Sequence, residues 1–432
     1  MSPLFYSSHI SPSTRVGAVL AQDKRSGLAF QLLSHFPQAQ VSLLGEGVAQ
    51  AVQGKQPARL QFGVSGLASE RLDKYLQAQG HGQTIEFVTL NPNNYRHHNH
   101  RQAVFDYCHA QPFSLDAIIY SINRHQIVDP FGGLADLAQQ RLRPVGKFDQ
   151  LINTNPALNL RGLKLAGQYG LSPSVKIRDS WDDSWEALQA VSAGADGFGE
   201  YRYPRRMVGE GFAQVLATGK EGMNWWQDSL ASKTLTPELG LLEQTHSAKH
   251  EHGLAEGLES LIKLPVQMAE LALSALLLPL ENLAVPTLKK LIAKLHLFHS
   301  RSLNHSKAEW LTHHGYHLLH LPAHLGEPSY GQLAQHEHSV DLGRLLKAQH
   351  QVMSFDHKRL ERLERLHEAI TQCDSVESDM NQERLIKGRD LMSVGFLPGS
   401  HVRFILQKVF DAQRCGLISS KEEAIRLALG MI

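Results

Sequence analysis

The chain has 432 residues, with 43 lysines and arginines against 42 aspartates and glutamates, 42% hydrophobic residues and 20% charged ones. Those values exclude a disordered or low-complexity chain and leave no global attraction to nucleic acid, so any RNA surface must be a local basic patch. Cys108, Cys373 and Cys415 stand far apart with no C-x-x-C spacing, which argues against a disulfide framework or a thiolate metal site and for a reducing compartment.

The opening MSPLFYSSHISPSTR lacks the charged start and apolar core of a secretory signal. The most apolar stretch, Leu271 to Leu280, is about half of the roughly 20 residues a membrane span needs. The sequence therefore predicts a cytoplasmic protein without a membrane partner. The first third alternates short strands and helices. Gln40 to Leu44 reads as a strand ending in Gly-Glu-Gly, followed by a small-residue helix from Val48 to Gln53 that Gly54 stops. Leu60 to Val64, Thr84 to Leu90 and Leu115 to Ile122 read as strands, and His125 to Val128 as the return arm of a hairpin. From about Asp149 onward strand signals disappear. Apolar residues recur at helical spacing, as in Leu158, Leu160, Leu163 and Leu165 and later Leu360, Leu363, Leu366 and Ile370. Segments 192–200 and 245–253 read as loops, and SFDHKR (354–359) opens a charged helix.

Three segments carry a family resemblance. FSLDAIIYSINRHQIVDPFGGLADLAQQRLRPVG, Phe113 to Gly146, combines a hairpin with a DPFGG turn. GRDLMSVGFLPGSHVRFILQKVFDAQRCGLISSKEEAIRLAL spans 388–429, and QVSLLGEGVAQAVQGKQPARLQFGVSG spans 40–66. Together they resemble the class II tRNA nucleotidyltransferases (CCA-adding enzymes) and poly(A) polymerases, which add CCA or A residues to RNA 3′ ends. The resemblance implies an α+β head, a polymerase-β-like nucleotidyltransferase sheet with helices, followed by an all-α neck, body and tail. The corresponding divisions are 1–148, 149–245, 246–353 and 354–432.

The departures fall on the chemistry. In the family a D-x-D pair holds two metal ions for in-line phosphoryl transfer; here those positions are Arg59-Leu60-Gln61. Hard divalent cations need anionic oxygens, whereas Gln61 is neutral and Arg59 is permanently cationic. The glycine turn that would cradle phosphates keeps Gly45 and Gly47 but places the carboxylate of Glu46 between them. The base-selecting E-D-x-x-R positions are matched by Thr154, Asn155 and Leu158. Glu86 and Asp116 are the candidates for replacement metal ligands, while Asp129 and Asp136 suit turn and capping roles better than catalysis. The resemblance thus implies a catalytically inactive homologue with no metal or nucleotide cofactor; Mg²⁺ with ATP or CTP belongs to the alternative, an active enzyme with rearranged ligands.

Basic residues suggest where RNA, tRNA among them, would be held. Arg141, Arg143, Lys147, Arg161 and Lys164 face only Asp149 between Leu137 and Gln168, and Arg202, Arg205 and Arg206 follow with Tyr201 and Tyr203 interleaved. Arg389, Arg403 and Lys408 are the tail candidates. Their alternative is a solvated face or structural ion pairs. A protein partner, or a structural module without RNA binding, stays open; DNA is not expected. The chain also carries 25 histidines. His313, His314, His317 and His320 have helical spacing suited either to a Zn²⁺ site or to a His-rich helix surface, the second being preferred.

Overall fold

The computed structural model describes residues 10–79, 85–90, 100–193, 206–239, 254–264, 268–280, 285–320, 329–378, 385–393, 402, 405–406, 408–410, 418 and 420–429. The chain divides into two compact units, Met1–Val215 with Glu221–Thr236, and Leu216–Lys220 with Pro237–Ile432.

The first unit begins with two helices, α1 (Pro12–Gln22) and α2 (Gly27–His35). Ser11 caps α1 by accepting from the Thr14 N–H, and Pro12 takes the first helical position, where no hydrogen is needed. Then come β1 (Gln40–Leu44), α3 (Glu46–Val52), β2 (Leu60–Ser65), α4 (Ser69–Gln79), β3 (Ile85–Thr89), α5 (His100–His109), β4 (Ile119–Ser121) and β5 (Gln126–Val128). They form a five-stranded mixed sheet in the order β3-β2-β1-β4-β5, parallel only between β2 and β3. Side-chain alternation gives each face its own cover. Val41, Leu43, Leu60, Phe62 and Val64 pack with α1 to α4, whereas Leu44 and Ile119 pack with Ala103, Val104 and Cys108 of α5.

Beyond the sheet lie α6 (Gly133–Ala138), β6 (Arg141–Leu142), α7 (Phe148–Thr154), α8 (Leu158–Tyr169), β7 (Ser172–Pro173), α9 (Val175–Arg178), α10 (Trp181–Ala193), α11 (Arg206–Leu216), α12 (Lys220–Asp228) and α13 (Ala231–Thr234). The expectation of helices alone after Asp149 needs one correction: β7 pairs in parallel with β6. Two other readings shift. Leu115 to Ile122 is not one strand, because Asp116 N–H bonds Phe113 O and Ala117 N–H bonds Ser114 O, so turns precede the short β4. The helix expected from Val48 starts two residues earlier, at Glu46.

The second unit is all-helical among its described residues. It comprises α14 (Leu254–Lys263), α15 (Ala269–Leu277), α16 (Val285–Lys294), α17 (His305–His320), α18 (Tyr330–Ala334), α19 (Ser339–Met353), α20 (His357–Ser378), α21 (Gly388–Ser393) and α22 (Lys421–Leu429). Every side chain of α15 is buried, and Gly257 lets α14 approach it so closely that a Cβ would sit 2.5 Å from Leu276 O. Buried polar groups there bond one another: Gln349 Nε2 donates to Ser260 Oγ and Ala275 O, and Thr312 to Ser274, while Gln349 Oε1 has no partner among the described residues. No described helix is long and apolar enough to cross a membrane. Segment 194–200 and segment 245–253, both expected loops, lie outside the described residues; α10 runs through Ala193.

Candidate functional site

The sheet end where β1 runs into α3 gathers most of the residues singled out in the sequence. Gly45 adopts φ 49°, ψ −121°, a conformation that favours glycine, and a Cβ there would meet Asp116 O at 3.0 Å. Its N–H donates to Ile118 O at 2.7 Å, so it is not directed at a phosphate. Gly47 is buried, with Leu43 3.2 Å from where its Cβ would be.

Glu46 occupies the mouth of this turn. Its two carboxylate oxygens each accept from Lys164 Nζ at 2.8 Å, and Arg161 lies 3.5 Å away. Burial raises the Glu46 pKa, but the charges and hydrogen bonds of Lys164, Arg161 and Gln168 prevail and hold the carboxyl below its ordinary range. Arg161 reaches further, with Nε donating to Asp116 Oδ2 at 2.9 Å and Nη2 to Oδ1, the fork-on-fork geometry of a strong guanidinium–carboxylate pair. Burial opposes the guanidinium charge, yet Asp116 and Glu46 more than offset it and raise the Arg161 pKa. Arg161 and Lys164 lie three residues apart on α8, one face of a helix, and so aim at one target. The result is a cluster of two acids and two bases that neutralises itself.

The two positions matched to the metal-binding pair lie beside this cluster. The register places Gln61 opposite Glu86, and Arg59 Nη2 stands 3.6 Å from Glu86 Oε2, both side chains exposed. Gln61 lines a cleft of about 530 Å³ with Val88, Thr89, Asp106, Tyr107 and Gln111. The Tyr107 phenol is pushed up by burial first, then by Asp116, which ties the cleft to the cluster electrostatically. These residues do not fit two divalent cations: Gln61 has no charge, Glu86 faces a guanidinium, and both oxygens of Asp116 are held by Arg161. Among the described residues no group of three His, Cys, Asp or Glu side chains is arranged to hold a metal ion, and this includes the histidines of α17. His320 instead bonds Leu278 O at 2.7 Å.

The basic patch read from the sequence separates into two sets. Arg161 and Lys164 spend their charge on Asp116 and Glu46. Arg141 and Arg143 flank the buried Leu142 and point outward, about half exposed, with Lys147 exposed further on. Asp136 is fully buried and accepts from Arg143 Nε at 2.7 Å, with Arg141 at 3.6 Å. It is therefore the arginines' anchor and not a helix cap. Asp129 does cap α6, accepting from the N–H groups of Gly133 and Leu134. Asn155 closes α7 and Leu158 opens α8, both half-buried. Arg206 begins α11, and Lys408 is exposed. Arg202, Arg205, Arg403 and the Arg389 side chain lie outside the described residues, as do Tyr201 and Tyr203. Sequence reading gave no site role to Tyr107, Asp106 or Gln111; nothing local marks them, since it is the packing of α5 against Leu44, Leu90 and Ile119 that carries them to the cleft beside Gln61. The shared helix face of Arg161 and Lys164 was the available signal for the cluster.

No family model and no curated protein matches the sequence. Among solved structures, a CCA-adding enzyme in its apo form I is similar at 13% identity over 96% of this chain and 97% of that chain, with a TM-score of 0.46. The Thermotoga maritima CCA-adding enzyme complexed with tRNA is similar at 12% identity, 96% and 98% coverage and a TM-score of 0.40. A tRNA nucleotidyltransferase complexed with a primer tRNA and an incoming ATP analog is similar at 14% identity, 78% and 98% coverage and a TM-score of 0.46.

Proposed function

We propose that this chain is a catalytically inactive, cytoplasmic homologue of the tRNA nucleotidyltransferases and poly(A) polymerases, which binds RNA of tRNA-like form without extending it. One observation carries the reading. The glycine turn that would receive a triphosphate is filled by Glu46, and Glu46 is held there by Lys164 and Arg161. A triphosphate would have to displace a carboxylate and strip it of two cations. With Arg59 and Gln61 at the matched positions and Asp116 bound to Arg161, the described residues offer no anionic pair for Mg²⁺ there. The reading requires neither metal nor nucleotide.

RNA contact is assigned to Arg141, Arg143 and Lys147. The first two are anchored by Asp136 yet keep solvent access, and Lys147 meets no carboxylate among the described residues. The test is a 3′-extension assay with labelled ATP and CTP on truncated tRNA, with Mg²⁺ or Mn²⁺, paired with a tRNA-binding titration. No extension, with tRNA bound by the native chain and weakened in R141E/K147E, is the expected outcome. Extension by the native chain would overturn the inactive reading, and tRNA binding unaffected by R141E/K147E would overturn the assigned surface.

A further inference from the structure

A second cleft, of about 990 Å³, opens between α2 and α4 on the face of the sheet opposite α5. Its aromatic floor is continuous. His35 lies 4.5 Å from Phe36 and 5.2 Å from Tyr75, measured between ring centroids, and Phe36 and Tyr75 are 5.5 Å apart. Phe30, 38% exposed, stands at its edge. On α4 the residues that line it, Arg71, Lys74, Tyr75 and Ala78, follow the spacing of one helical face, and the acids Glu70 and Asp73 fall outside that face. Among the described residues no acidic side chain lines the cleft.

Like Lys147, the two cations keep their charge available, whereas Arg25, Arg59, Arg141, Arg143, Arg161 and Lys164 of the same unit meet carboxylates. Arg71 and Lys74 meet none among the described residues, although Glu70 is four residues from Lys74. Two uncompensated cations beside exposed rings suit a ligand that alternates phosphates with flat bases. An acidic amphipathic helix fits less well, because it needs an unbroken apolar trough, and Gln31, Ser34 and Gln79 interrupt this one.

We propose that the α2–α4 cleft is a binding site for single-stranded RNA, with Arg71 and Lys74 on the phosphates and the Phe30, His35 and Tyr75 rings against the bases. It is separate from the Arg141–Lys147 surface and from the central cluster, and stands or falls independently of them.

The probe is a fluorescein-labelled octaadenylate titrated against the full chain by anisotropy, with melting curves confirming that each variant folds. R71Q/K74Q is expected to lose two phosphate contacts, lowering the slope of log K against log salt by about 1.4 and the affinity at 0.1 M salt by roughly 25-fold. F30A is expected to weaken binding about fivefold or more with the slope unchanged. Octaadenylate affinity that survives R71Q/K74Q, or that is lost only in R141E/K147E, would overturn the proposal and leave the other surface intact. So would failure to bind octaadenylate, including the case in which a labelled octaglutamate binds instead and is released by R71Q/K74Q.

Discussion

Replacing Arg161 by Met tests whether the central cluster holds the first unit together. The substitution keeps the apolar stem and removes the guanidinium. Asp116, whose side chain is 5% exposed, then loses the partner of both its oxygens, while Glu46 retains Lys164. Breaking one side of a buried pair typically costs about 3–5 kcal/mol; because Arg161 itself is 35% exposed, water can reach part of the vacated space and about 2–3 kcal/mol is expected here. In a unit of this size each kcal/mol moves the melting temperature by about 2–4 °C, so the first unit should melt roughly 4–12 °C lower. Its transition is read from the buried Trp185 and Trp226, both in this unit. Removing the orphaned charge as well, in R161M/D116N, should recover about half of the loss. A Tm within 1 °C of the native chain for R161M, or no recovery in the double variant, would refute the argument that the pair is a mutually dependent unit.

Four further outcomes are expected. Placing carboxylates at both metal positions, R59D/Q61D, sets one of them opposite Glu86 and frees Glu86 of its arginine, so Mn²⁺ should bind about tenfold or more tightly than to the native chain in a paramagnetic resonance titration; extension should remain absent until Glu46→Gly is added. Burial first, and then His313, His317 and His336, lowers the His314 pKa from 6.5 to about 4. The unfolded chain therefore takes up the proton first, and stability present above pH 6.5 is lost as pH falls toward 4, by about 1–2 kcal/mol after allowance for partial exposure, in urea titrations that H314F should flatten. Gly133→Ala would bring a Cβ to 2.3 Å from Ser114 O and 2.7 Å from Ile118, and should cost about 3 kcal/mol, seen as a lower denaturation midpoint. Burial pushes the Cys108 thiol up to about 12, so in the folded chain iodoacetamide should label it far more slowly than after unfolding, by mass spectrometry.

Local features of the fold were legible where local rules decide them. The short apolar run of β1, the glycine stop after α3 and the DPFGG turn were each read from a few neighbouring residues. Leu115 to Ile122 misled because an apolar run fits a buried strand equally well, and only the hydrogen bonds from Asp116 and Ala117 back to Phe113 and Ser114 show otherwise. The helices α1 and α2 precede all three motif segments and received no reading. The basic patch failed to stay whole for a different reason: charge was weighed against acids nearby in sequence. Lys164 is neutralised by Glu46, 118 residues away, and Arg161 by Asp116, 45 residues away, pairings that only the tertiary fold creates. Their loss from the solvent-facing count could not be seen in the window that contained them.

The salt bridge between Glu46 and α8 also fixes how the turn responds to its surroundings. A cradle that waits for an anion is held open at an electrostatic cost and relaxes when its guest arrives, so its shape follows supply. Here the counter-charge is covalently part of the chain, present at a fixed ratio of one per molecule and never diluted. On the proposed inactive reading, the turn would keep its shape whatever the nucleotide and magnesium levels, as a constant of the fold on which neighbouring surfaces can rely.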